Sequence, residues 1–187
     1  MNFKFAALLT VGLMLTSAVS AQTVKLTTTQ GDIRIALDAA KAPKSVANFV
    51  QYVKAGHYNG VIFHRVIENF MIQTGGFNAK LDQKPTKAPI PLESRNGLLN
   101  VRGSVAMART GDPNSATAQF FINTVDNAML DAENSRDGNG YAVFGQVIEG
   151  MDVVDKIRAL PTGSVGPHQN MPLTAVLITK AIVETKK

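Results

Sequence analysis

The 187-residue chain contains no cysteine, so it can form neither a disulfide nor a thiolate metal site. Its three histidines, His57, His64 and His168, are too far apart in sequence to make a recognisable metal-binding pattern. We therefore expect no metal centre. We also expect the folded state to be stabilised by an apolar core, for which a hydrophobic content of 45% is sufficient.

Several other functional patterns are missing as well. The formal charge is +5 and the pI is about 9.6, but the basic residues are dispersed singly, which argues against nucleic-acid binding. No glycine-rich phosphate loop is present, and Gly163-Ser164-Val165-Gly166 is not a nucleophile elbow. A dispersed catalytic triad stays open, although no serine is singled out. The segment from Asp131 to Gly140 does not fit a calcium-loop spacing, and we interpret it as a solvated turn.

The first 21 residues have the pattern of a secretory signal peptide. Lys4 precedes an apolar run from Phe5 to Leu15, and small residues from Thr16 to Ala21 form a cleavage site. The run is short for a membrane span, and no second stretch of spanning length follows. We predict a signal peptide over residues 1–21, one domain over residues 22–187, and secretion.

Alternating apolar and polar residues predict many short strands along the rest of the chain. The runs Val24–Thr28 and Ile33–Leu37 flank a turn signal and together predict a hairpin. Further strand candidates are Phe63–Ile67, Phe70–Gln73, Arg102–Arg109, Gln119–Asn123, Tyr141–Val147 and Leu173–Val183. The segments Asn78–Asn100 and Pro161–Pro172 are predicted as loops.

Two helices interrupt this pattern. The first begins at Pro43, ends at Gly56 and has an apolar stripe formed by Val46, Phe49, Val50 and Val53. The second runs from Met151 to Leu160, with Met151, Val154 and Ile157 on one side. Two lone helices would cover the open ends of a barrel better than the two faces of a sandwich. The predicted fold is therefore an all-β, closed antiparallel barrel capped by two α-helices.

The stretch from Phe63 to Phe77 carries the most specific functional signal. Period-two alternation predicts a strand that places Arg65 on one face with Phe63 and Ile67, and a second strand that places Gln73 on the face of Met71. A patch that combines a cation, an amide, a phenylalanine and a methionine is suited to bind a ligand in which a polar carbonyl is attached to an apolar ring.

Taken singly, each of these side chains has an ordinary structural explanation. Arg65 suits a rim charge with a buried stem, Phe70 and Met71 suit core packing, and Gln73 suits a strand-end amide. His64 faces the other side from Arg65, and we interpret it as a satisfied structural histidine. The residues offer no obvious acid, base, nucleophile or cofactor.

The same stretch, with its order and spacing relative to three later segments, resembles the signature of the cyclophilins, the peptidyl-prolyl cis-trans isomerases. The later segments are Ser104–Arg109, Gln119–Ile122 and Val143–Met151. The resemblance covers nearly the whole chain after residue 21 and is strongest to bacterial periplasmic members. It implies an eight-stranded antiparallel barrel with two helices, and a cofactor-independent isomerase in the periplasm.

The resemblance also implies roles for individual residues. Arg65 corresponds to the catalytic arginine, and Gln73 and Gln119 correspond to the amides that hold the substrate backbone. The backbone at Ala108-Arg109 corresponds to the groove for the residue before proline. The wall of the proline pocket corresponds to Phe70, Met71, Phe121 and Leu130.

Three positions depart from the family pattern. Met129 stands where cyclosporin-sensitive members carry tryptophan, which implies weak cyclosporin binding. Tyr141 stands where many members have a pocket histidine, and it keeps an aromatic rim. Thr74 is an extra residue between Gln73 and Gly75, so we expect the turn after Gln73 to be displaced.

The expected partners are proline-containing peptides and unfolded exported proteins, bound by a monomer without nucleic acid. Two other functions remain open from the sequence: a proline-binding module that uses the same groove without catalysis, and an extracellular adhesion factor suggested by the leader and the basic charge.

Overall fold

The computed structural model describes residues 22–184. The predicted signal peptide, residues 1–21, and the last three residues lie outside this range. Within the described range, no helix is both long enough and apolar enough to cross a membrane.

Residues 22–184 form eleven strands, two α-helices and one 3₁₀ turn. The strands are β1 (Gln22–Thr28), β2 (Gly31–Leu37), β3 (Val61–Ile62), β4 (Arg65–Ile67), β5 (Met71–Thr74), β6 (Ser104–Met107), β7 (Phe120–Asn123), β8 (Val143–Glu149), β9 (Thr162–Val165), β10 (His168–Pro172) and β11 (Leu177–Glu184). The helices are α1 (Pro43–Lys54) and α2 (Met151–Arg158), and the 3₁₀ turn is Ala128–Leu130.

Nine strands form one antiparallel sheet in the order β3-β11-β1-β2-β8-β6-β7-β5-β4. Its two edge strands, β3 and β4, are separated in the chain by only Phe63 and His64. The sheet must therefore curl until its edges meet, since two residues span only about 7 Å. Thr74 Oγ1 donates to the carbonyl of Ile62 at 2.9 Å, and the amide of His64 donates to the carbonyl of Gln73 at 3.2 Å, across the gap.

The sequence prediction of an antiparallel all-β fold with two helices is confirmed. The closed barrel of eight strands is matched only roughly, because the observed sheet has nine strands and its edges meet through a few bonds instead of a full ladder. The amino-terminal hairpin is confirmed, with Val24 paired to Ile35.

The inner face of the sheet holds the main core. The ring of Phe49, from α1, has its centroid 5.1–5.3 Å from the rings of Tyr58, Phe120 and Phe144. All four residues are 0% exposed. Burying such aromatic side chains supplies a large share of the hydrophobic free energy of folding.

Both helices bury the faces that the sequence predicts. Val46, Phe49, Val50 and Val53 of α1 are buried, as are Val154 and Ile157 of α2, while Met151 is only half-buried. The first turn of α1 has no acidic residue of its own, and the carboxylate of Glu93 accepts from the amides of Lys44 and Ser45 at 3.0 and 2.8 Å. Glu93, in the long segment between β5 and β6, therefore caps the free amides at the start of α1.

Two of the predicted elements are wrong. The segment Pro161–Pro172 is not a loop throughout, since it contains the hairpin of β9 and β10. The segment Phe63–Ile67 is not one strand, because Phe63 and His64 connect two strands; Phe63 therefore belongs to the main core and does not share a face with Arg65. Alternation alone cannot detect a strand break of two apolar or aromatic residues.

Glycine is required where α2 begins. Gly150 has φ +89°, and a Cβ there would overlap the carbonyl oxygen of Asp32 in β2. We expect Gly150→Ala to lower the free energy of unfolding by more than about 3 kcal/mol, because steric overlap adds to the usual cost of a left-handed residue.

Gly138→Ala is the matched control for that substitution. Gly138 has φ +69°, yet no atom of residues 22–184 lies within 4 Å of the place that an alanine methyl group would occupy. Its substitution should cost only about 1 kcal/mol in chemical denaturation, which is the conformational cost alone. Equal losses of unfolding free energy in the two variants would show that the overlap of the new methyl group with Asp32 costs nothing.

Candidate active site

Alternation in β5 divides its side chains between two environments. Ile72 packs in the main core, whereas Met71 belongs to a second, smaller apolar cluster on the outer face with Ala106, Phe121 and Val143. Gln73 is two residues from Met71 and shares its side of the strand. The outer face of β4, β5 and β7 is therefore where the predicted site residues can meet.

One cross-strand row brings three of them together. Arg65 of β4 pairs with Gln73 of β5, and Gln73 pairs with Phe121 of β7. Ala106 of β6 continues the row beyond Phe121. Directly opposed residues in an antiparallel sheet lie about 5 Å apart, so strand pairing alone sets the cation, the amide and the ring side by side.

These side chains border a hollow of about 320 Å³. It contains nine of the eleven residues that the sequence proposes for the site. They are Arg65, Phe70, Met71, Gln73, Ala108, Arg109, Phe121, Leu130 and Tyr141. A hollow of this size admits a proline ring with part of its neighbouring backbone, while the rest of a peptide would lie outside.

The Arg65 guanidinium points towards the hollow. Its Nη1 lies 3.4 Å from Oε1 of Gln73 and 3.9 Å from the sulfur of Met71, and its Cζ lies 6.0 Å from the centroid of the Phe70 ring. These contacts are long, so most of the hydrogen-bonding capacity of the guanidinium remains available. An arginine placed in this way can donate to a bound ligand.

Gln119 lies just outside the hollow but is linked to it. The amide nitrogen of Gln73 donates to Oε1 of Gln119 at 2.8 Å. A Cβ on Gly76 would come within 2.7 Å of the Gln119 amide nitrogen, so glycine leaves room for this side chain. The two amides predicted from the sequence thus form one chain of bonds that ends at Arg65.

The floor and walls of the hollow are apolar. Met71 and Phe121 are buried, and Phe70, Leu130 and Tyr141 pack around them. The ring of Tyr141 stands edge-on to that of Phe121, with centroids 5.6 Å apart. Among the residues that line the hollow, none carries a carboxylate or an imidazole. The arrangement suits binding and electrostatic stabilisation better than proton transfer.

Met129 and Thr74 are placed differently from the other proposed positions. Met129 is 60% exposed in the 3₁₀ turn beside Leu130 and does not line the hollow. Thr74, which the sequence treats as an extra residue, pairs with Phe120 without a bulge. Thr74 is the last residue of β5, and the displacement of the turn that follows it stays a prediction.

The sequence gives no sign of the partners of Asp131 and Asp137, and of these two acidic residues only Asp137 bonds to a residue that lines the hollow. Asp131 accepts from the backbone amide of Asn100 at 2.7 Å, and Asp137 pairs with the buried Arg109 at 2.5 Å. The segment from Asp131 to Gly140 is therefore not merely a solvated turn. An acidic residue within a turn gives no sequence signal of its distant partner. The described residues contain no cluster of three or more metal-ligating side chains.

His64 is buried as predicted but is not satisfied. It is 5% exposed, and its Nδ1 has no hydrogen-bond partner among the described residues. Burial, followed by the nearby His168 ring, lowers the pKa of His64 to about 4. Removal of the imidazole from water disfavours its charged form, so His64 is neutral near pH 7.

The fold and the hollow together define a curled antiparallel barrel with a cation at the rim of an apolar binding site. Residues 23–183 match the cyclophilin type peptidyl-prolyl cis-trans isomerase/CLD family. The chain belongs to this family. It is therefore an enzyme that catalyses the cis-trans isomerisation of peptidyl-prolyl bonds.

Curated relatives support that assignment over most of the chain. Peptidyl-prolyl cis-trans isomerase A of Dickeya dadantii is 52% identical over 170 residues, which cover 91% of this chain and 88% of the relative. A peptidyl-prolyl cis-trans isomerase of Acinetobacter baylyi is 52% identical, with 97% of this chain and 96% of the relative covered. Peptidyl-prolyl cis-trans isomerase B of Escherichia coli is 54% identical, with 83% and 96% covered.

A solved structure shares the fold. A cyclophilin type isomerase of Cryptosporidium parvum superposes with a TM-score of 0.75 at 24% identity, over 90% of this chain and all of that one. The same protein was also solved in the presence of the dipeptide Ala-Pro, with a TM-score of 0.73 over 88% of this chain and all of that one.

The buried His64 predicts a pH-dependent stability. Its pKa is about 4 in the folded state against 6.5 in the unfolded chain, so the unfolded state binds the extra proton between these values. As the pH falls from 6.5 to 4, the free energy of unfolding should drop by up to about 3 kcal/mol from this group. Below pH 4 its contribution should level off.

Chemical denaturation of the wild type and of His64→Asn across this pH range isolates the effect, because carboxylates titrate equally in both. The wild-type curve should fall more steeply between pH 6.5 and 4. Parallel curves would mean that His64 does not resist protonation in the folded state.

Proposed function

We propose that this enzyme accelerates rotation about Xaa-Pro bonds by binding the twisted amide more tightly than the planar one, with Arg65 as the catalytic donor. The supporting observation is the position of its guanidinium, which lies on the hollow and, among the described residues, makes only long contacts that leave donors free. Gln73 and Gln119 hold the substrate backbone, and the backbone at Ala108-Arg109 receives the residue before proline.

The reaction requires no bond to be made or broken. Amide resonance holds the Xaa-Pro bond planar with a barrier near 20 kcal/mol, and twisting the bond localises the lone pair on the prolyl nitrogen. The twisted nitrogen is a better hydrogen-bond acceptor than the planar one. A guanidinium that donates to it lowers the barrier, since only interactions that strengthen in the transition state accelerate a reaction.

Arginine suits this task because it stays protonated near neutral pH and cannot act as a base. The apolar walls formed by Phe70, Met71, Phe121 and Leu130 accept the proline ring. They also disfavour the polar planar amide more than the twisted one, because resonance gives the planar form the larger charge separation.

The magnitudes are consistent with this mechanism. A rise from about 0.01–0.1 per second to a typical turnover of about 10 per second requires about 3–4 kcal/mol. A hydrogen bond to a charged group supplies about 1.5–3 kcal/mol. The apolar walls and anchoring by Gln73 would supply the remainder.

Substitution of Arg65 tests the mechanism. Arg65→Ala should lower kcat/KM for a short Xaa-Pro peptide by about 10- to 150-fold, which is the factor that 1.5–3 kcal/mol represents. Thermal unfolding should change little, since Arg65 makes only long contacts with Gln73 and Met71.

Arg34→Ala is the matched control because it also removes a guanidinium from a strand. Arg34 pairs with Glu149 and Glu184 on β8 and β11, away from the hollow. It should leave kcat/KM unchanged. Equal activity of Arg65→Ala and the wild type would remove Arg65 from the mechanism, and peptide binding without acceleration would favour a non-catalytic proline-binding module.

We also propose that the enzyme acts on unfolded exported proteins in the periplasm as a monomer. The support for export is the signal-peptide pattern of residues 1–21, with cleavage after Ala21. Retention of the uncleaved chain in the cytoplasm of the producing bacterium would contradict this location.

Weak cyclosporin binding is a further part of the proposal. Met129 is exposed at the edge of the site, where sensitive members carry tryptophan, so a flexible side chain replaces a large rigid contact surface. In an inhibition titration, Met129→Trp should bind cyclosporin at least about tenfold more tightly than the wild type. No change would place the cause of weak binding elsewhere.

A further inference from the structure

Arg109 differs from Arg65 in that its side chain is only 4% exposed and fully engaged. Its Nε donates to the carbonyl of Gly140 at 2.9 Å, its Nη1 to the carbonyl of Thr110 at 3.0 Å, and its Nη2 to Asp137 at 2.5 Å. A planar guanidinium with a bond on every nitrogen is held in one orientation.

The anchor of this guanidinium is itself held rigidly. Oδ1 of Asp137 accepts from the amides of Asn139 and Gly140 at 3.0 and 3.3 Å, which leaves Oδ2 to accept from Arg109. The Asn139 amide, together with Arg109, keeps the pKa of Asp137 well below its ordinary value. Gly140 packs so closely on the backbone of Ala132 that a Cβ would lie 2.5 Å from its nitrogen.

The flat face of the Arg109 guanidinium also makes a contact, in addition to the hydrogen bonds along its edge. Its Cζ lies 4.6 Å from the centroid of the Tyr141 ring, within the range of a cation–π contact. Arg109 also holds the carbonyl of Gly140, which directly precedes Tyr141. Both the ring and the backbone of Tyr141 are therefore fixed by one side chain, and that ring contacts Phe121 in the wall of the hollow.

We propose that Arg109, anchored by Asp137, is a positioning residue that holds the Tyr141 ring as a wall of the proline-binding hollow. The inference rests on the proposed function, because it assigns the hollow to proline. Arg65 acts on the amide, whereas Arg109 sets how tightly the hollow holds the ring of the substrate. Loss of Arg109 should therefore raise KM more than it lowers kcat.

The competing explanation is that Arg109 only fastens the turn from Asp137 to Gly140. In that case, loss of Arg109 would lower the stability of the protein, and its effect on KM would not depend on Tyr141. A double-mutant cycle separates the two explanations, since it measures whether the effect of Arg109 requires the Tyr141 ring.

The experiment measures kcat and KM with a short Ala-Pro peptide for Arg109→Gln, Tyr141→Leu and the double variant. We expect Arg109→Gln to raise KM about tenfold in the wild-type background and less than about twofold in the Tyr141→Leu background. Tyr141→Phe keeps the aromatic face and should retain the full effect of Arg109→Gln.

Arg102→Gln is the matched control. Its guanidinium likewise donates to a backbone carbonyl, that of Thr124 at 2.6 Å, and to an aspartate, Asp155 at 2.7 Å, but it does not line the hollow. It should leave KM unchanged even if it lowers the melting temperature by a similar amount.

An unchanged KM for Arg109→Gln, or the same increase with and without the Tyr141 ring, would overturn the proposal. If Arg109→Gln does not fold, Asp137→Asn takes its place in the cycle with the same expected pattern. If the wild type binds the peptide without isomerising it, the proposed mechanism fails, but the role of Arg109 can still be tested. The same double-mutant cycle is then measured as Kd values by calorimetry, with the same expected pattern.

Discussion

The site depends on the backbone pairing of β4, β5 and β7, because that pairing sets Arg65, Gln73 and Phe121 in one row on the outer face of the sheet. A slip of one residue would turn Gln73 into the core and bring Ile72 to the surface. The same ladder that buries Ile72 and Ile122 therefore also holds the binding side chains in place. The strand register therefore determines both the packing of the core and the placement of the side chains at the site.

The two arginines of the hollow show how one residue type serves two purposes. Arg65 is half-buried and makes only long contacts within the part of the chain that the structure describes, so it keeps donors for a ligand. The side chain of Arg109 is buried and every guanidinium nitrogen donates a hydrogen bond, so few donors remain for a ligand and the bonds hold the neighbouring residues instead. The difference follows from the partners that each backbone position supplies, since the chemistry of the guanidinium is the same.

The hollow offers shape and fixed charge, and none of its lining residues carries a carboxylate or an imidazole. The apolar cluster of Met71, Phe121, Ala106 and Val143 lies directly beneath the hollow and is packed between strands. Such packing resists displacement, so the cation and the amides are held in fixed positions beside the hollow.

Local patterns in the sequence determined the hairpin of β1 and β2 and both helices, and they placed Gln73 on the face of Met71, because each depends on periodicity within a few residues. Family resemblance supplied the other site positions. Only the tertiary structure decided where the sheet edges meet, that Phe63 turns into the core, that Pro161–Pro172 forms a hairpin, and that Asp137 anchors Arg109. Each of these depends on contacts between segments far apart in the chain, and no local pattern encodes the partner that a buried charge will find.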